Sequence, residues 1–441
     1  NTPGVLGNFK ITKQVFPRVF IYALAEVKKA CLLANIELGV IEESLGKPIL
    51  QAADEILSGK HIDQFPIDVY QTGSGTQQNM NMNEVLANRA NQILGEPMGK
   101  KTPVHPNDHV NKGQSSNDVI PTAMHVSAMH SLNESLLPAL ATLINSLQEK
   151  IDAFKGVVKV GRTHLQDAVP IPLSMEFEVY KKQIQNAIGR LNNIIEELQL
   201  VPLGGTALGT GINAKADLPS LACKHLSQIT KMAFSPNPVL AEGIASHNAL
   251  VSLSGILKSL ALSLIKMAND IRWMGSGPRA GLGELLLPAN EPGSSIMPGK
   301  INPTQSEALI QVGIRVIGND AVISFAEGYG SVLDLNVCKP LIITSILESI
   351  QLLSTGIRSF ISKCLEDLEV NQDSIKKHLD GMLMVVTNLS PFIGYDKASA
   401  IAKEAHETGK TIKDVLKEKN IEIDGNLNEL LDPANMVEPE K

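Results

Sequence analysis

Apolar residues recur at helical spacing through most of the middle of the chain. In 132–151, Leu132, Leu136, Leu140, Leu143, Ile144, Leu147 and Ile151 follow i, i+4, i+7 spacing, which predicts an amphipathic helix that Pro138 begins or kinks. The stretch 177–198 repeats the pattern with Ile184, Ile188, Leu191, Ile195 and Leu198. In 248–274 the apolar set Leu250, Val251, Leu253, Ile256, Leu257, Leu260, Leu262, Leu264, Ile265 and Met267 covers nearly every face. A membrane span is weighed there and set aside. Lys258 and Lys266 interrupt it, Ser recurs, and no flanking loop resembles an interface belt. A helix buried all round in a large bundle is the expectation. One subunit rarely supplies that much core, so the segment predicts an oligomer of packed long helices. Further long helices are predicted through 304–325 and 341–369, and shorter ones near 23–44 and 49–58.

The pattern gives a mainly α protein in three parts: a mixed N-terminal domain over 1–114, a central helical bundle over 115–370 and a small polar C-terminal domain over 371–441. A chain of 441 residues is too long for one core. Composition supports the helical reading, because aromatics are only 4% and Leu, Ile, Val, Ala and Met must fill the interior. The net charge of -7 argues against a nucleic-acid surface, yet leaves room for a local basic pocket that binds an anion. Cys31, Cys223, Cys338 and Cys364 form no C-x-x-C pair and read as buried reduced thiols. No charged-then-apolar signal opens the chain, which starts at Asn1 and allows for residues ahead of it having been removed or left out. The expected location is the cytoplasm, or the mitochondrial matrix in a eukaryote.

Five polar clusters interrupt the helices: 71–84, 105–118, 161–167, 204–213 and 293–303, the last followed by Gln305 and Glu307. They are dense in hydroxyls, amides and Gly backbone, groups that suit small oxyanions, and each sits at a loop or helix start where free N–H groups point outward. Other readings fail mechanically. The run Gly293 to Lys300 has one residue too many for a phosphate loop, Ile301 where Ser or Thr is needed, and Pro298 without an N–H. His105, Asp108 and His109 are expected not to bind metal, because Pro106 should prevent a helix that aligns them. The Gly204 to Gly211 run lacks a dinucleotide-fold context. Capping explains many of these residues singly: Asn302-Pro303-x-Gln305 is a good helix start, and Asn117, Asp118 and Pro121 form another. A lone His164 would more often be structural than catalytic. The coincidence of five clusters shifts the balance.

Gly293-Ser294-Ser295-x-Met297-Pro298-x-Lys300-x-Asn302-Pro303 resembles the signature of the fumarase/aspartase superfamily. Chance coincidence of so many fixed residues is on the order of 10⁻¹⁰ per start. The likeness runs from about Gly7 to the C-terminus. Thr72-Gly73-Ser74-Gly75-Thr76, and Pro298-Gly299-Lys300 before Pro303-Thr304-Gln305, resemble the class II fumarate hydratases (fumarase C type). The aspartate ammonia-lyases, the alternative branch, tend to carry Gly-Ala-Gly-Thr and Ala at position 299. A member that kept the fold and lost activity would lack Ser294, His164 or Lys300, and all three are present.

The resemblance implies a three-domain fold with a shared long-helix core, and reversible anti addition of water to fumarate, giving L-malate in the tricarboxylic acid cycle, with no cofactor or metal. It implies a homotetramer whose sites are shared by three subunits, with neither nucleic acid nor membrane as partner. Ser294 would take the carbon proton, aided by loop amides. Lys300 and Asn302 would hold the resulting aci-carboxylate with Ser295 nearby. His164 would act on the water side, oriented by Glu307. Thr163, Ser74, Thr76, Ser115, Ser116, Asn117 and Thr210 would bind the substrate. His105, Asn107 and Asp108 match a second dicarboxylate patch, but the family's arginine is replaced by Thr102, with Lys101 adjacent. Leu173-Ser174-Met175-Glu176 departs from the common Leu-Gly-Gln-Glu. The run 293–298 is expected to be a mobile, amide-rich loop.

Overall fold

A computed structural model describes residues 2–438, in which helices carry the chain and the short strands pair two by two. Helix Arg18–Glu37 buries Phe20, Ile21, Leu24, Val27, Cys31 and Leu32, and packs against helices Glu43–Leu57, Ser116–Ser131 and Leu218–Thr230. The predicted 23–44 helix is therefore shorter at its C-terminal end. Leu38 returns its N–H to Ala34 O, and Gly39 takes a φ of 66°, the left-handed conformation that stops a helix. The next helix begins at Glu43, earlier than predicted, with Pro48 inside it.

Helix Ser116–Ser131 opens on a capping box in which Ser115 accepts from the Asn117 N–H and Asp118 accepts from the Ser115 N–H. The cap is Ser115, not Asn117. This helix continues through a π turn, Leu132–Leu136, into Leu137–Ala153. The turn lies where Pro138 withdraws an N–H from the ladder. The remaining long helices are Leu173–Leu198, Asn248–Met274, Thr304–Gly330 and Lys339–Phe360.

By length and composition Asn248–Met274, Thr304–Gly330 and Lys339–Leu365 could cross a membrane. Polar pins run between them. Asp320 accepts from Ser254 Oγ at 2.8 Å and from Lys258 Nζ at 2.6 Å, so the lysine that interrupts the apolar run has a partner. Asn248–Met274 buries Leu250, Leu253, Leu257, Leu260, Leu264 and Ile271 but leaves Leu262 and Trp273 exposed. The burial on all sides expected of this helix is thus not met within one chain. Cys31, Cys223 and Cys364 are buried free thiols, and Cys338 is half-buried.

The chain divides into two compact units, Asn1–Leu140 with Asn186–Leu262 and Val312–Thr355, and Ala141–Gln185 with Ser263–Gln311 and Gly356–Lys441. Each boundary falls inside a long helix. In the second unit Val385, Leu389, Ile401, Val415 and Leu416 form the core of the C-terminal helices, and Val160 of a β-hairpin joins them.

Candidate active site

In the first unit the 71–84 and 105–118 clusters meet. Ser74 Oγ lies 2.8 Å from Thr76 Oγ1, which lies 2.9 Å from Ser116 Oγ, so three hydroxyls form one hydrogen-bonded row. The loop that carries Ser74 is backed by another segment: the Lys339 N–H donates to Gly73 O at 3.0 Å. A Cβ on Gly73 would lie 1.3 Å from Val337 O, so only glycine fits there. In front is a cavity of about 360 Å³ lined by Thr76, Asn79, Asn83, Asn107, Asn111, Gln114, Ser115, Ser116, Thr206 and Asn213, with no charged side chain among its walls. Asn79 Oδ1, Asn83 Oδ1 and Thr206 Oγ1 are buried and have no partner among the described residues, which leaves them hydrogen-bonding capacity for a small polar ligand.

Two buried charges organise these walls. Lys28 is 2% exposed, and its Nζ donates to Asn111 Oδ1 at 2.8 Å and Gln114 Oε1 at 2.9 Å. Burial pushes its ammonium down to about 7, against the pull of Cys31 and Asp118. Asp118, fully buried, accepts from Ser115 N at 2.9 Å and from Gly204 N and Thr206 N, each at 3.0 Å. It ties the 105–118 cluster to the 204–213 cluster. Burial raises its carboxyl to about 6, opposed by those backbone donors.

Other candidates in this unit are placed differently. Asn117 lies outside the lining and donates its amide to Ala207 O at 2.9 Å. Thr210 is exposed and also outside it. Of the second dicarboxylate patch, only Asn107 lines the cavity. His105 Nδ1 caps the turn Pro106–Val110 by accepting from the N–H groups of Asn107 and Asp108, and Asp108 lies 3.2 Å from the same ring atom. This corrects the expectation that Pro106 prevents a helix. At the first helical position proline loses no bond, and a π turn begins there. Among the described residues no group of three or more His, Cys, Asp and Glu is placed to hold a metal.

The second unit carries the remaining candidates on two elements. One is the 293–303 loop, whose base is closed by Gly293 N to Lys300 O at 2.9 Å and by Asn302 Nδ2 to Gly293 O at 2.6 Å. Asn302 thus braces the loop, and the following helix starts at Thr304. Inside the loop Ser294 Oγ accepts from the N–H groups of Ile296 at 3.3 Å and Met297 at 3.1 Å. Ser295, Lys300 and Glu307 are exposed. The other element is the hairpin Val158–Thr163 and Gln166–Pro172, closed by His164 and Leu165 with φ of 57° and 59°. Two consecutive left-handed residues match a type I′ turn, which favours Asn-Gly, so this pair holds a strained tip. Thr163 and His164 are exposed on it. Among the described residues no hydrogen bond or ion pair joins His164 to Glu307.

Sequence reasoning missed Lys28 and the cavity amides Asn79, Asn83, Asn111 and Gln114, and it saw Asp118 only as a cap. The signals were present. Asn79 and Asn83 are four apart on one helix face, and Lys28 falls between Leu24 and Leu32 at i, i+4, i+8 spacing on an apolar face.

A family described as Lyase matches residues 4–318, and one described as Fumarase C C-terminus matches residues 385–438. A fumarate hydratase class II of Thermosynechococcus vestitus is 52% identical over 415 residues, 94% of this chain and 88% of that protein. The chain belongs to the class II fumarate hydratase family. Another member, from Nitrosomonas europaea, is 47% identical over 437 residues, 99% of this chain and 94% of that protein. The solved class II fumarase of Schistosoma mansoni matches with a TM-score of 0.97 at 39% identity, covering 100% of this chain and 95% of that one. A fumarate lyase:delta crystallin from Brucella melitensis bound to cobalt matches at 0.95 and 40%, covering 99% and 95%. Class II fumarate hydratases are lyases, and the mainly α fumarase/aspartase fold expected from the sequence is the fold observed.

Proposed function

We propose that this protein catalyses the reversible anti addition of water to fumarate, giving L-malate, as a step of the tricarboxylic acid cycle. The observation that carries the reading is the environment of Ser294. A serine hydroxyl is a poor base unless its alkoxide is stabilised, and two backbone N–H groups already point at Ser294 Oγ. In the malate direction Ser294 takes the proton from the carbon beside one carboxylate, and the electron pair moves into that carboxylate as an aci-carboxylate. Lys300 and Asn302, with Ser295 nearby, stabilise this charge, and preorganised donors of this kind supply about 3–4 kcal/mol each. The hydroxyl then leaves as water with a proton from the His164 side, with Glu307 orienting the ring. Ser74, Thr76, Ser115, Ser116, Asn117, Thr163 and Thr210 bind the carboxylates and the hydroxyl. The second patch of His105, Asn107 and Asp108 is proposed only as an accessory contact, since Thr102 supplies no charge.

The active form is proposed to be a homotetramer in which three subunits contribute to each site. Ile314, Val322, Phe325 and Tyr329 lie along one side of helix Thr304–Gly330 at helical spacing, with Phe325 65% and Tyr329 81% exposed. An uncovered stripe of this kind suits packing against copies of the same helix. The proposed location is the cytoplasm, or the mitochondrial matrix in a eukaryote. Hydration in D2O tests the chemistry: L-malate should carry one deuterium at the methylene carbon, in the one diastereomer that anti addition gives. The syn diastereomer, or a mixture of the two, would overturn anti addition. Ser294→Ala should lower kcat by about 10²–10⁴-fold, and full activity in that variant would refute the base.

A further inference from the structure

The second unit contains a fully buried carboxylate that the chemistry above does not use. Glu284 is 0% exposed. Its Oε1 accepts from Arg162 Nη1 at 2.7 Å and lies 3.2 Å from His378 Nδ1, and its Oε2 lies 3.3 Å from Lys159 Nζ. Lys159, 2% exposed, also donates to Glu176 Oε1 at 3.0 Å. Lys159 and Glu284 are thus paired in the interior, and Arg162 and Glu176 join them from partly exposed positions. The Glu284 backbone is itself fixed. Its N–H donates to Met274 O at 2.8 Å, its carbonyl accepts from the Asn371 N–H at 2.9 Å, and Leu285 pairs with Val370.

Both cations come from the strand Val158–Thr163 and converge on Glu284. Val160 pairs with Pro170 and Arg162 with Asp167, so the hairpin carries one extra residue on the strand Gln166–Pro172. Gly161 faces that bulge and leaves no room for a side chain, since a Cβ would lie 2.5 Å from Val169 O. Lys159 and Arg162, three apart, reach the same carboxylate with their long side chains. Two residues after Arg162 comes His164, in the left-handed conformation at the hairpin tip. Among the described residues no hydrogen bond within the chain holds its ring, so the hairpin backbone sets where the imidazole is presented, and Glu307 is left the proposed role of orienting the ring there. A strained turn persists only where its surroundings over-determine it.

We propose that Glu284 is a positioning residue for His164: by clamping Arg162 and Lys159 it fixes the strand that leads into the turn, and with it the place where the imidazole is presented. The inference rests on the reading of His164 as the water-side acid.

The test uses the full-length protein in Glu284→Gln, Glu284→Asp, Arg162→Gln, the Arg162→Gln/Glu284→Gln pair and His164→Asn, with oligomer content and Tm measured for each. Rates are corrected for the folded fraction. For Glu284→Gln the expected result is a fall in kcat of about 10²-fold, the scale of an ångström-level misplacement, with KM within about threefold of the parent. The limb of the pH–rate profile that His164→Asn abolishes should be displaced. Glu284→Asp, which keeps the charge on a shorter side chain, should recover most of the loss and settle about three- to tenfold below the parent. The double variant should be no worse than the poorer single, because Glu284 acts through Arg162. Parental kcat and pH profile in folded Glu284→Gln would overturn the proposal. If that variant does not fold, Glu284→Asp decides: a lowered kcat with a displaced limb supports the proposal, and parental values in both overturn it. A fully active His164→Asn would instead remove the underlying reading of His164. An impaired His164→Asn beside a normal Glu284→Gln would remove only the role of Glu284.

Discussion

Gly73→Ala is the sharpest perturbation available near the hydroxyl row. The new Cβ would stand 1.3 Å from Val337 O and 2.8 Å from Val337 Cα, whereas real Cβ contacts essentially never fall below 3.0 Å. Relief requires the two backbones to part by about 1.7 Å, the difference between those oxygen distances. That movement breaks the 3.0 Å bond from Lys339 N–H to Gly73 O, worth about 1 kcal/mol. Overpacking adds about 1–3 kcal/mol, for a total destabilisation of about 2–4 kcal/mol. Ser74 is the next residue, so the Ser74–Thr76–Ser116 row shifts with the loop. Misplacement by an ångström or more costs about 10²-fold in kcat/KM. The assays are urea unfolding at fixed protein concentration and steady-state hydration of fumarate. An alanine variant with parental stability and parental kcat/KM would refute the claim that this loop is held by contact with Val337 and Lys339.

Asp118 gives a pH signature. Its folded pKa of about 6 lies above the ordinary 3.8, so the folded chain holds the proton more tightly, and stability falls as pH rises from 3.8 through about 6. That gap corresponds to about 3 kcal/mol. Asp118→Asn cannot satisfy Ser115, Gly204 and Thr206 together and should be the less stable protein at pH 4. Its disadvantage should shrink by about 2 kcal/mol between about pH 4 and pH 7, and a pH-independent difference in unfolding free energy would contradict the assignment. Lys28→Met removes the donor shared by Asn111 and Gln114 on the cavity wall. The expected outcome is a destabilisation of about 1–3 kcal/mol with KM raised more than kcat is lowered, and an unchanged KM would show that these amides do not touch substrate.

The helical architecture was legible because a 3.6-residue apolar period survives without knowledge of partners. Leu173–Leu198, Asn248–Met274 and Thr304–Gly330 lie close to where the spacing put them. Helix ends were less legible because single residues decide them: Gly39 stops the first long helix by its left-handed φ, and Ser115 rather than Asn117 caps Ser116–Ser131. Pro106 was misjudged for the same reason, since its effect depends on whether it falls at the first helical position or inside. The chemistry-bearing clusters were visible as breaks in the apolar pattern, and their polar composition pointed to an oxyanion. The charges that organise them were not visible. Lys28, Asp118 and Glu284 act from buried positions on partners tens to over a hundred residues away, and sequence spacing carries no record of such contacts. Nor does sequence show that Ser294 Oγ faces two amides, because that depends on how the 293–303 loop closes through Gly293, Lys300 and Asn302.

Under the proposed function water, not ammonia, is the group added to fumarate. Mixing the purified protein with fumarate alone and following the ultraviolet absorbance of the double bond separates the two. Loss of absorbance without ammonia, with L-malate accumulating, is the predicted result. Stable absorbance with fumarate alone, followed by loss on addition of ammonia, would contradict the account and identify the chemistry as that of an ammonia-lyase.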